Sequence, residues 1–377
     1  MRQSASHLSF RARAFGATLL AAAGLLATGA ASAEAVPAKF WGVVPQATPT
    51  FEHVQRLKRG GVDSMRIPIF WAAVQPVQGG VFEWSSVDPI VAKAAAAGVE
   101  VLPFLYGTPS WAVPPDPRVN SPSYLPVRTG AQKAGWKRFL RELVLRYGPN
   151  GSFWSENPGV PKRPIRVWQI WNEPNFKYFV ARPNPAEYGK LVKLSYGAIR
   201  SVDRGAQILL GGMFAKPIEA LRKRGVREAY FATEFLVEMY RTTPGIQRRY
   251  HGVALHPYTG TYQRMGLYIE ELRTTLKALG DAGKSLWLTE LGWSSQRGSS
   301  GNSLAKGSMR GQVKQLKGAF RLLEKNQRRW KLKRIYWFAV EDQEGSCNFC
   351  GGTGLFTEAF VPKPAWRAYV GFAGGRP

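Results

Sequence analysis

The sequence keeps switching between two patterns. Short apolar runs rich in β-branched and aromatic residues alternate with longer runs of helical periodicity. Strand-like runs are expected at Phe40–Val44, Ser64–Phe70, Val99–Tyr106, the stretch from Ile165 to Asn172, Gln207–Met213, Gly252–His256, the stretch around Leu286–Leu291, and Arg334–Val340. Between them fall helical runs at Pro49–Gly61, Ser86–Ala97, Gln132–Tyr147, Pro185–Val202, Tyr230–Arg241, Leu267–Leu279 and Leu304–Asn326, with Ala365–Phe372 last. Helix signals punctuate them. Asp88-Pro89 opens one helix and Gly98 closes it; Gly148-Pro149 stops another. Strands that alternate with helices form parallel β-α-β units. Eight such units predict an α/β chain folded as a (β/α)8 TIM barrel. An open doubly wound sheet is the alternative, but no Gly-rich phosphate loop follows the first strand. No linker or low-complexity run divides the chain.

The first residues do not belong to that pattern. Arg2, Arg11 and Arg13 precede an apolar run from Ala14 to Ala27, and Ala31-Ser32-Ala33 forms a small-x-small cleavage site before Glu34. This is the pattern of a secretory signal peptide over residues 1–33, with 34–377 as one (β/α)8 domain. The expected location is therefore extracellular or cell-wall associated, with no integral membrane span once the signal is removed. A retained N-terminal anchor is the alternative. Net charge is +27, and the three arginines of the leader leave +24 for the rest. The charges are scattered and carry no nucleic-acid motif, so nucleic acid is not an expected partner. They favour a basic solvated surface first and loose adsorption to anionic surfaces second. The cysteines, Cys347 and Cys350, are spaced Cys-x-x-Cys. In an exported chain they suggest a small-loop disulfide near the last strand, ahead of free thiols or redox chemistry. A zinc site would need four ligands, so no metal is expected, and no organic cofactor is implied.

In a barrel of this kind chemistry gathers where strands end. The polar residues that a buried strand would not choose lie there. Asn172-Glu173-Pro174 closes the fourth strand and Glu290 the seventh. Arg66 sits in the second strand, His256 and Tyr258 end the sixth, Trp111 follows the third, and Trp337 lies in the eighth. Each alone reads as ordinary packing or pairing, but their common placement favours a site. Two facing carboxyls suit glycoside hydrolysis, one protonated to help the leaving oxygen depart and one ionised to attack or to activate water. Arg66 would favour the ionised form of one, and a dry aromatic pocket would raise the other.

Asn172-Glu173-Pro174 and Glu290, in this order of elements, resemble the clan A glycoside hydrolases, which are (β/α)8 retaining enzymes. The resemblance runs from Trp41 to Trp337. It implies Glu173 as acid/base, Glu290 as nucleophile, and Asn172 as the residue that binds the sugar 2-hydroxyl. It further implies that Arg66 and Tyr258 hold the nucleophile and that His256 lines the site. Trp337 matches a tryptophan that floors the reacting sugar, often before a strained peptide bond. Arg66-Ile67-Pro68 is similar to family 5. Thr108-Pro109-Ser110-Trp111, with Phe70-Trp71 and Phe82-Glu83-Trp84, is similar to family 39, whose added β-domain this length leaves no room for. The mechanism implied places the carboxyl groups about 5–5.5 Å apart.

Trp41, Trp71, Trp111, Phe176, Tyr178 and Trp293 flank strand ends and are expected to include sugar-stacking residues, Trp111 and Trp293 foremost. The reading is a secreted retaining hydrolase acting on a β-linked oligo- or polysaccharide. A non-catalytic sugar-binding barrel and an extracellular transglycosylase are the alternatives.

Overall fold

The structure is a computed structural model and describes residues 36–113, 121–216, 228–297, 304–345 and 350–377. The expected signal peptide, Cys347 and part of the loop after the third strand lie outside the described residues. Eight parallel strands close into one barrel in sequence order. They are β1 (Trp41–Val44), β2 (Ser64–Phe70), β3 (Glu100–Tyr106), β4 (Val167–Asn172), β5 (Gln207–Phe214), β6 (Gly252–His256), β7 (Ser285–Leu291) and β8 (Leu332–Phe338). Closure is direct, because β1 pairs with β8 from Trp41 opposite Ile335 to Val44 opposite Phe338.

The helices are α1 (Phe51–Arg59), α2 (Trp71–Val74), α3 (Asp88–Ala97), α4 (Gly130–Tyr147), α5 (Ser152–Glu156), α6 (Pro185–Arg200), α7 (Ala232–Thr242), α8 (Tyr262–Ala278), α9 (Met309–Asn326) and α10 (Pro364–Ala373). Their starts follow local chemistry. Thr129 caps α4 in a capping box with Gln132, and Asn184 Oδ1 accepts from the amides of Ala186 and Glu187 at the start of α6. Two expected boundaries move for the same reason. α8 begins at Tyr262 rather than Leu267 because Thr261 caps it. α9 begins at Met309 rather than Leu304 because Ser308 does.

Period-2 alternation sorts the strand side chains into two sets. On β8, Ile335 and Trp337 face the helices while Tyr336 faces the axis, where its hydroxyl meets Ser64 Oγ of β2 at 3.0 Å. The layer between strands and helices is strongly aromatic, with tryptophans from β4, α2 and α4. Trp71, Trp136, Trp168 and Trp171 are fully buried between sheet and helices. This layer holds the strands rigidly, so their carboxyl ends can carry a fixed constellation.

Candidate active site

β4 does not keep its alternation to the end. Gln169 and Asn172 both reach Arg66, although they are an odd number of residues apart. The cause is local: Trp171 has φ 70° and Glu173 φ 39°, in the left-handed region that bulky residues avoid. The twist sends the Trp171 indole outward, where its Nε1 donates to the Phe179 carbonyl at 2.8 Å, and turns Asn172 and Glu173 over the barrel mouth. Such backbone costs on the order of 1–3 kcal/mol per residue and persists only where the surroundings hold it. They do. The Glu173 amide donates to the Gly212 carbonyl, and the Tyr188 hydroxyl bridges the Ile170 carbonyl and the Gly211 amide. Asn175 is fully buried and exchanges hydrogen bonds with both the amide and the carbonyl of Phe214.

Glu290 is gripped from two sides. Arg66 Nη1 donates to its Oε1 at 2.6 Å and the Tyr258 hydroxyl to its Oε2 at 2.9 Å. Arg66 is wholly buried, which lowers its value, while Glu290 and the Phe104 ring, whose centroid lies 4.0 Å from the guanidinium, favour the charged form. Its Nη2 donates to Asn172 Oδ1 at 2.6 Å, which orients the amide so that its nitrogen lies on the side away from Arg66, with no acceptor among the described residues.

Glu173 has a different neighbour. His256 Nδ1 lies 2.8 Å from Glu173 Oε1, and 3.6 Å from Glu290 Oε2. Burial and the nearby Arg66 charge push the His256 imidazole well below its ordinary value, so it is neutral. The surrounding donors then fix its tautomer. Arg66 Nε donates to Gln169 Oε1, and Gln169 Nε2 donates to the Leu210 carbonyl and to Thr289 Oγ1. Thr289 is left to donate to His256 Nε2 at 2.9 Å, and Nδ1–H points at Glu173. Gly212 makes the room, since a Cβ there would meet His256 Nε2 at 2.0 Å.

The two carboxyls are thus pushed apart in acidity. Burial raises Glu173 well above the carboxylate range, Glu290 raises it further, and Arg66 only partly offsets this. Burial raises Glu290 too, and Arg66 and the Tyr258 hydroxyl pull it only part of the way back, so it stays raised but less than Glu173. One oxygen from each of Glu173 and Glu290, with a nitrogen of His256, lie within 4.8 Å of one another. Those three groups have the reach to ligate an ion. An ion there would have to share Glu290 with the Arg66 guanidinium, so the trio fits proton transfer better than metal binding.

The expected residues divide. Arg66, Asn172, Glu173, His256, Tyr258 and Glu290 converge on one point. Trp337 and Trp293 do not. Trp337 is fully buried on the helix side, its ring against Phe320 and Trp293 and its Nε1 on the Thr353 carbonyl. Alternation puts Phe338, not Trp337, on the axis, edge-on to Tyr258. The non-proline cis peptide bond joins Phe338 to Ala339, one residue beyond the expected place. Trp293 is buried as well, and its Nε1 donates to the Thr259 carbonyl, tying the β6 and β7 loops together. Trp111 is half-buried, edge-on to Trp71, with its Nε1 on the Gln75 carbonyl. Cys350 is buried after β8; its expected pairing involves Cys347, outside the described residues.

Sequence reasoning missed Gln169, Thr289 and Asn175. The signal was there: Gln169 lies between Trp168 and Ile170, and Thr289 follows Leu288, polar residues inside apolar strands.

A cavity of about 290 Å³ opens at the other end of the barrel. Glu100, its one acid, is engaged by Lys39 and Arg334, so it holds no carboxyl pair.

The glycosyl hydrolase catalytic core family matches residues 161–358, which span both carboxyls and β4 through β8. Solved structures share the fold. A family 39 glycoside hydrolase from Bacteroides cellulosilyticus WH2 is 19% identical over 90% of this chain and 64% of that one, with a TM-score of 0.63. A monomeric beta-xylosidase from Caulobacter crescentus CB15 is 18% identical over 89% and 68%, with a TM-score of 0.61. A GH5_18 protein from Bifidobacterium longum, in complex with Manb1-4GlcNAc, is 14% identical over 89% and 78%, with a TM-score of 0.61. The chain thus spans less than two thirds of the first of these. No curated protein matches.

Proposed function

The chain belongs to the glycosyl hydrolase catalytic core family and is a glycoside hydrolase; from that premise we propose that it cleaves a β-linked oligo- or polysaccharide with retention of configuration. Glu290 is the nucleophile and Glu173 the acid/base. The observation that carries this is the unequal hold on two carboxyls whose oxygens approach within 4.8 Å. So close an approach of one oxygen pair supports the double-displacement class, whose carboxyl groups stand about 5–5.5 Å apart, over an inverting pair at about 6.5–9.5 Å.

Glu290, kept ionised by Arg66 and Tyr258, attacks the anomeric carbon. Glu173, kept protonated by burial, gives its proton to the departing glycosidic oxygen. Water then cleaves the glycosyl ester, with Glu173 taking the proton. Asn172, its amide set by Arg66, donates to the sugar 2-hydroxyl. Export through the first 33 residues is part of the same proposal; the mature chain would start at Glu34.

The test uses an aryl β-glycoside panel and follows the anomer formed first by proton NMR. The β-anomer is expected first. Glu290→Ala should lose turnover, with azide restoring it as the α-glycosyl azide. First-formed α-anomer from the unmodified chain would overturn the retaining assignment.

A further inference from the structure

A row of aromatic rings leads away from the nucleophile. Tyr258, which donates to Glu290, stands 6.0 Å from Phe214, Phe214 lies 5.3 Å from Phe176 and nearly parallel to it, and Phe176 meets Tyr178 edge-on at 4.8 Å. Its inner members are largely covered, with Tyr258 at 7% exposed and Phe176 at 9% and Phe214 half-buried between them, and only the outermost ring, Tyr178 at 67%, stands in solvent. An exposed tyrosine on a free loop would mean little. This one has its backbone pinned. Its carbonyl accepts from Ser123 Oγ at 3.2 Å, the Lys177 amide before it donates to the Glu228 carbonyl, and the Phe176 amide donates to the Glu173 carbonyl. Buried Asn175, two residues upstream of Lys177, is bonded to Phe214 and Tyr230. The chain holds a large apolar face in water at a fixed place, a few residues from the acid/base. Nothing in the described core requires Tyr178, since its one ring contact is with Phe176.

We infer that the row Phe214–Phe176–Tyr178 is the wall of a leaving-group subsite, with Tyr178 as its outer platform, taking the second or later pyranose beyond the bond that is cut. The side is set by Glu173. The acid delivers its proton to the leaving oxygen, so the leaving sugars lie on the side where Glu173 and its loop project. The ligand class follows from the surface. Pyranose rings present patches of C–H that stack on aromatic faces, and tyrosine offers an apolar face with a hydrogen-bonding edge. The ring-to-ring steps suit a chain of sugars laid along the wall rather than a single one. The inference rests on the hydrolase reading and adds to it that the substrate is an oligomer or polymer engaged beyond its first leaving unit.

The test compares two substrates on the same protein. One is a nitrophenyl β-glycoside, which offers a single ring beyond the bond that is cut. The other is the β-linked tetra- or pentasaccharide of the sugar that the panel identifies. Tyr178→Ala should lower kcat/KM on the oligosaccharide roughly 5- to 30-fold, mainly through KM, and leave the aryl glycoside unchanged. Tyr178→Trp should restore it, which loss of folding would not allow. Equal loss on both substrates, or no loss on the oligosaccharide, overturns the subsite while the hydrolase reading stands. A parent protein inactive on both removes the hydrolase reading and the subsite with it.

Discussion

Glu173 and Glu290 share one buried pocket and differ in what touches them. Arg66 and Tyr258 each donate a hydrogen bond to Glu290, while Glu173 meets a neutral imidazole. Two results should follow at Glu173. Glu173→Gln should slow hydrolysis of substrates with poor leaving groups by about 10²–10⁴-fold and abolish the basic limb of the pH–rate profile, with activated aryl glycosides much less affected. The same variant should be more stable than the parent at neutral pH. Burial raises the folded-state value above that of the unfolded chain, so the stability linked to this group is full below about pH 4.3 and is lost as pH rises through the folded value. Glutamine does not ionise. Thermal unfolding should therefore show a gain of about 1 kcal/mol at pH 7.5 and none at pH 4; equal melting at both would contradict the raised value. A further prediction concerns Thr289. Thr289→Val removes the proton that holds His256 in its tautomer, and Nδ1 can then accept from protonated Glu173. The basic limb should move up by about one pH unit or less, and an unmoved limb would show that Thr289 does not set the tautomer.

The strands were legible as elements because their apolar runs are long and clearly bounded, and β6 has the bounds expected of it. What sequence could not supply is the local reversal of facing. The turn of Asn172 and Glu173 into the mouth depends on left-handed backbone at Trp171, and no pattern of residue types announces it. The same blindness misplaced Trp337. Its neighbour Phe338 has the inward parity, and parity depends on register with β1 and β7, which composition does not carry. Arg66 and the two glutamates were legible for the opposite reason, being charges that a buried strand end tolerates only with partners. Gln169 and Thr289 were hidden among ordinary strand residues, although each was a polar residue in an apolar setting. At this scale β5 offers a test. Gly212→Ala puts a methyl where His256 Nε2 and Thr289 Oγ1 lie. It should cost about 1–3 kcal/mol of stability and most of the activity, because the imidazole must move. Unchanged melting and turnover would mean that the ring is not held where it is seen.

Over the whole molecule, closure of eight strands brings residues from β2, β4, β6 and β7 to one point, and this convergence was inferred from chain order alone. The sugar and the reach of the site were not legible, since they depend on loops rather than strand order. The charge surplus of +27 belongs to this scale as well. If adsorption to anionic surfaces is real, retention on a carboxylated polysaccharide matrix should vanish between about 0.05 and 0.5 M salt; retention indifferent to salt would rule out a charge-driven contact. The central claim is that Glu290 forms a covalent glycosyl intermediate while Glu173 moves the proton. It is tested most directly by reacting the protein with an activated 2-deoxy-2-fluoro β-glycoside of the preferred sugar and mapping the modified peptide by mass spectrometry. The account predicts one sugar on the peptide that contains Glu290, and none in Glu290→Ala. A label on Glu173, or turnover of the parent substrate with no label on any peptide, would contradict it.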